Sequence, residues 1–149
     1  MPTLSRVGVY VSLVWLIAGS MLGGLLLGGP LVGWPLRVGP LVRVHIDAML
    51  FGWLLQVTVS VAWWILPRRA EARGTWRAGS DGRGPVPVAA VALGAFNAAI
   101  LVSTSGHMLT SQSGVVLGRS LTLSALLVFL ILLRPRVRAF GESASRSPD

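Results

Sequence analysis

The chain has no cysteine and no lysine, one tyrosine, two histidines and five acidic residues among 149. Without cysteine there can be no disulfide, iron–sulfur cluster, thiolate-ligated heme or covalent c-type heme attachment. Its thirteen basic residues are all arginine. Charged residues make up 12% of the chain and hydrophobic residues 53%. A soluble domain carries about 25% charge, so this composition excludes one. Also missing are a Gly-rich phosphate loop, a nucleophile elbow and a carboxylate pair. The high pI does not indicate nucleic-acid binding, because the arginines collect at the ends of apolar runs and in the connections between them.

What is present is a series of four apolar runs, each near the roughly 20 residues that cross a bilayer. The expected spans are 7–28, 44–66, 87–107 and 115–133. They form one membrane domain over residues 1–140, followed by a polar, disordered tail over 141–149. The first span exceeds the 7–15 apolar residues of a signal peptide and has no A-x-A-like cleavage site after it. Gly19, Gly23, Gly24 and Gly28 give it two small-xxx-small repeats, which allow another helix to approach closely. Pro30, Pro35 and Pro40 argue against regular helix between Gly29 and Arg43. Trp34, Trp63 and Trp64 read as interfacial aromatics.

Arginine sets the expected topology. Arg68, Arg69, Arg73, Arg77 and Arg83 crowd the connection from Pro67 to Pro85, and Arg134, Arg136 and Arg138 end the fourth span. The connection from Met108 to Gly114 has no charge. The positive-inside rule then puts the basic loop and both termini in the cytoplasm. The expected fold is an all-α integral membrane four-helix bundle in a bacterial inner membrane, with the lipid bilayer and other membrane subunits as partners.

The histidines carry the sharpest chemical lead. His45 opens the second span and His107 closes the third, which runs the opposite way. Each stands roughly 30 Å from the inner boundary at 1.5 Å per residue, so both belong near the outer face. Met49, Gly52 and Gln56 follow His45 at helical spacing, and a glycine at that place leaves a flat gap that a porphyrin could enter. Thr104, Ile100 and Asn97 precede His107 on its stripe, with Phe96 one turn deeper. Two neutral imidazoles facing one cavity are the ligand set of a low-spin b-type heme iron. Arg43 and Arg119, with Arg37, are the cations nearest its propionates. Arg119 lies about one turn inside the fourth span, where charge needs a partner. Asp47 points away from His45 and is expected to pair with Arg43 or Arg119. Asn97, Gln56 and Thr58 read as hydrogen-bonding groups between helices.

The bland alternatives are a wet interfacial histidine and an arginine that snorkels to headgroups. Two further readings compete with heme binding. One is a heme-free structural subunit that packs on partner helices through its glycines. The other is a quinone pocket, with His45 or His107 bonded to a quinone carbonyl.

The segment His45-Ile-Asp-Ala-Met-Leu-Phe-Gly-Trp, with Trp63-Trp64-Ile-Leu-Pro-Arg68 after it, resembles the second helix of heme–copper oxidase subunit I, most closely its B- and C-type branches. The run Tyr10-Val-Ser-Leu-Val-Trp-Leu-Ile-Ala-Gly-Ser-Met-Leu-Gly resembles that family's first helix. The resemblance covers about the first half of the chain and implies that His45 is an axial ligand of heme b. The family's copper-binding histidines, His–Tyr site and late-helix second ligand are not present. The resemblance therefore implies an electron-transfer subunit of a respiratory or redox complex, not an oxygen-reducing enzyme by itself. His107 or a neighbouring chain would supply the second ligand.

Overall fold

The computed structural model describes residues 1–33, 38–66 and 82–144. It is all-helical. Helix α1 spans Thr3–Gly28 and ends in a short 3-10 turn, Gly29–Val32. A continuous rod follows: α2 (Val38–Asp47), a π-helical stretch (Ala48–Leu55) and α3 (Gln56–Ile65). Helix α4 spans Val86–Met108 and α5 spans Gln112–Ala144. The α1 helix, the rod, α4 and the Gln112–Val137 part of α5 are all long and apolar enough to cross a membrane. Their surfaces agree with that: Val14, Ile17, Met21 and Leu27 of α1 and Leu117, Leu127 and Ile131 of α5 are all exposed. Water would not tolerate so much continuous apolar surface, whereas lipid or a partner helix would.

Several helix boundaries differ from expectation. Helix α2 starts at Val38, inside the segment expected to be irregular. Its Pro40 falls in the first turn, where a missing N–H removes no intrahelical bond. Helix α5 runs on to Ala144, past the expected end at 133 and into the expected tail. Pro135 sits within it and costs it the hydrogen bond to the Ile131 carbonyl, yet the helix continues. Trp34, Arg37, the connection over 67–81 and residues 145–149 lie outside the described residues.

Within the bundle the rod and α4 are central, with α1 and α5 flanking them. Helix α1 packs along α2, the π stretch and α3, and α5 packs along α4. Small residues set both contacts. A Cβ on Gly19 would stand 2.6 Å from the Met49 sulfur, one on Gly23 2.8 Å from His45 Cε1, and one on Gly52 2.5 Å from Trp15 Cγ. Gly8 meets the Ser60 hydroxyl. Gly24 and Gly28 have nothing within 4 Å, so only part of the expected small-residue stripe is in use. Between α4 and α5 the backbones themselves touch. A Cβ on Gly106 would lie 2.6 Å from the Val115 nitrogen, and one on Gly118 would press into the Ser103 backbone and lie 2.8 Å from the Ala99 carbonyl oxygen.

The turn joining α4 to α5 is short enough to keep that contact. Thr110 takes a left-handed φ of 53°. The Ser111 amide bonds to the Gly106 carbonyl at 2.9 Å, closing the end of α4. Ser111 Oγ then accepts the Gly114 amide at 3.3 Å, as an N-cap does for α5.

Two apolar clusters fill the interior. Phe96, Ile100 and Ala125, with Trp15, Phe51 and Leu55 against them, form the middle. Trp63, Ala89, Ala92, Leu93, Phe129 and Leu133 form the end that holds the start of α1. Trp63, expected at an interface, is 1% exposed, whereas its neighbour Trp64 is exposed. Arg136 explains the difference. Its guanidinium lies over the Trp63 ring, 5.6 Å from the centroid, and donates to the Trp63 and Leu66 carbonyls that end α3. A residue read as a topology charge is thus buried as a helix C-cap.

If backbone contact limits the α4–α5 distance, Gly118→Ala will force the helices apart. It should destabilise the protein by about 1–3 kcal/mol, the range for overpacking. Gly24→Ala, with open space around it, should be neutral or slightly stabilising. Denaturation of both variants in mixed micelles measures this, and equal effects would contradict it.

Candidate functional site

Polar chemistry concentrates at the end of the bundle opposite Trp63. Residues 45 and 47 of a helix point about 200° apart, at 3.6 residues per turn. In the central rod this sends one side chain to each flank. His45 faces α1: its Nδ1 lies 2.8 Å from the Gly19 carbonyl oxygen and its ring rests on Gly23. Asp47 faces α4 and α5 and is 1% exposed.

Three residues gather on the Asp47 carboxylate. Ser103 Oγ donates to Oδ2 at 2.6 Å. Arg119 donates from an Nη nitrogen to Oδ1 at 3.1 Å. His107 Nε2 approaches Oδ2 to 3.2 Å, but without the alignment that a hydrogen bond needs. Burying a carboxylate is costly unless charge and hydrogen bonds compensate it. Here one of its three partners is a permanent cation. Arg119 itself is not deeply buried: 48% of its side chain is exposed. It reaches from the surface of the bundle to the buried carboxylate, the partner that a charge within an apolar helix needs.

The structure therefore brings His107, Arg119 and Asp47 together and does not bring His45 to them. Of the two partners expected for Asp47, Arg119 is the one found. Met49 and Gly52 share the His45 face as expected, but α1 covers that face. Met49 packs on Gly19, and Trp15 fills the gap at Gly52. Gln56 continues the stripe and donates to the Gly8 carbonyl at 3.0 Å. On α4, Asn97 accepts the Trp15 indole N–H at 2.8 Å, a bond from α1 to α4. Thr58 instead bonds to the Leu54 carbonyl of its own helix.

Ser103 is the member of this site that sequence reasoning missed. It sits four residues before His107, one turn away on the same face. That spacing was the available signal. Arg43 lines a groove of about 750 Å³ between the starts of α2 and α5, together with Pro40, His107, Ser111, Val116 and Arg119.

Comparison of the chain with family models, with curated proteins and with solved structures finds no match. The likeness to oxidase subunit I thus rests on the motif residues of the first two spans alone.

The unequal burial of the two charges gives an ordered expectation. Arg119→Gln leaves a carboxylate stranded in the interior, and should cost about 3 kcal/mol, the low end for a broken buried pair because Arg119 is half exposed. Asp47→Asn keeps the shape and leaves an arginine that can turn to water, so it should cost less. Combining the two should recover part of the Arg119→Gln loss. Denaturation in mixed micelles measures all three, and additive losses in the double variant would contradict the pairing.

Proposed function

We propose that this chain is a multi-pass subunit of a redox complex in a bacterial inner membrane, with both termini cytoplasmic. In this reading it holds one b-type heme through His45 and takes the second axial ligand from a partner subunit. The observation that carries the proposal is the contact of His45 Nδ1 with the Gly19 carbonyl. A ring N–H donated to a backbone carbonyl fixes both tautomer and orientation, and leaves the unprotonated Nε2 as the ligating atom. Nε2 has no protein partner among the described residues.

The described arrangement favours one ligand from this chain over two. His107 is turned to Asp47 on the far side of the rod, and Trp15 occupies the gap at Gly52. A heme would supply one-electron transfer, with its potential set by its ligands and surroundings. The chain's own part is to orient one imidazole against Gly23 and to offer apolar outer faces to partner helices. Gly19 and Gly23 are not part of those faces, because they are occupied by Met49 and His45 of the same chain.

Reduced-minus-oxidised spectra of the complex, purified through a tag on this chain, test the proposal. A b-type signal is expected in the wild type, absent in His45→Ala and retained in His107→Ala. A colourless complex, or loss of the signal in His107→Ala, would overturn it and leave a heme-free scaffold as the better description.

A further inference from the structure

We infer that the groove between the starts of α2 and α5 is a binding site for the phosphate of an anionic membrane lipid. The inference is independent of the heme reading. Four features converge there.

Arg43 lines the groove and has no hydrogen-bond or ion-pair partner among the described residues. Arg119 lines it too. One Nη nitrogen of Arg119 is engaged by Asp47, and the half-exposed guanidinium has further donors to offer. Among the described residues the carboxylate behind the groove is Asp47, already met by Arg119 and Ser103, and none is paired with Arg43. The second feature is His107. It is more than nine-tenths buried, lines the groove beside Arg119, and sets its Nε2 3.2 Å from the Asp47 carboxylate behind it. Third, the start of α5 borders the same space. Ser111 Oγ and the Ser111 carbonyl accept the Gly114 and Val115 amides. The amides of Gln112 and Ser113 are then the orphan donors that a helix start aims at an anion.

The fourth feature chooses between sources of phosphate. Val115, Val116 and Leu123 continue the wall of the groove along α5, a helix apolar enough to span a membrane. An anionic head held by two arginines beside an apolar wall suits a lipid better than a free ion. Arginine also matches phosphate geometry through paired N–H donors.

Native mass spectrometry of the full chain in neutral detergent, titrated with phosphatidylglycerol, tests this. Phosphatidylcholine, which has the same phosphate but no net charge, is the comparison lipid. The expected result is at least tenfold tighter binding of phosphatidylglycerol. Arg43→Gln should lose that preference, and so should Val116→Trp, which fills the groove. Arg134→Gln, at the other end of α5, should keep it. Neither Arg43 nor Val116 supports the fold through a polar contact, so folded variants are expected and circular dichroism checks them. Equal binding of the two lipids, or an unchanged affinity in Arg43→Gln, would overturn the inference. Displacement of the lipid by an equal concentration of inorganic phosphate would overturn the lipid as the ligand.

Discussion

One carboxylate in the apolar interior constrains the whole polar end of this protein. Asp47 is carried by the central rod, and the groups that meet it come from both helices of the neighbouring hairpin, Ser103 and His107 from α4 and the cation Arg119 from α5. A buried charge tolerates little misplacement of its partners, because lost contacts are not replaced by water. It therefore fixes the register of three helices. Between apolar helices packed through leucine, valine and alanine, dispersion alone specifies register weakly.

The same carboxylate decides what the two histidines can do. Placing Asp47 against α4 turns His45, two residues earlier, towards α1. The close approach of α1 then becomes the second constraint. Gly8, Gly19 and Gly23 admit Ser60, Met49 and the His45 ring, and Gly52 admits Trp15. Each imidazole thus has its own setting, one oriented by a backbone carbonyl and one set against a carboxylate. Opposite ends of the bundle are also held differently. At one end a buried arginine closes α3 over Trp63, and at the other a half-exposed Arg119 reaches in to Asp47.

Much of the architecture was legible in the sequence because apolar length is a strong signal. Four helices long and apolar enough to span a membrane, the close packing at Gly19 and Gly23, and an arginine partner for Asp47, either Arg43 or Arg119, could all be read from composition and helical spacing. So could a shared face for His45, Met49, Gly52 and Gln56. The occupant of that face could not. Spacing shows which side chains point together, but not which helix covers them, and a glycine gap suits an indole as well as a porphyrin. Arg136 and Trp63 were misread for a related reason. Near a span end, residue type suggests an interface, while burial depends on whether a neighbouring helix ends with unsatisfied carbonyls. Ser103 escaped notice because serine in an apolar helix ordinarily bonds to its own backbone. The helical start at Val38 was hidden by Pro40, whose effect depends on its place in the turn.

The separate settings of the two imidazoles can be measured directly. Full-length chain with nitrogen-15 in its histidine rings and carbon-13 in its aspartate carboxyl groups and glycine carbonyls, reconstituted in bilayers, suits dipolar-coupling solid-state NMR. The geometry described here predicts one ring coupled to a carboxylate carbon, abolished by His107→Gln, and the other coupled to a glycine carbonyl carbon, abolished by His45→Gln. Two rings coupled to the same carbon, or a carboxylate coupling that survives His107→Gln, would contradict it.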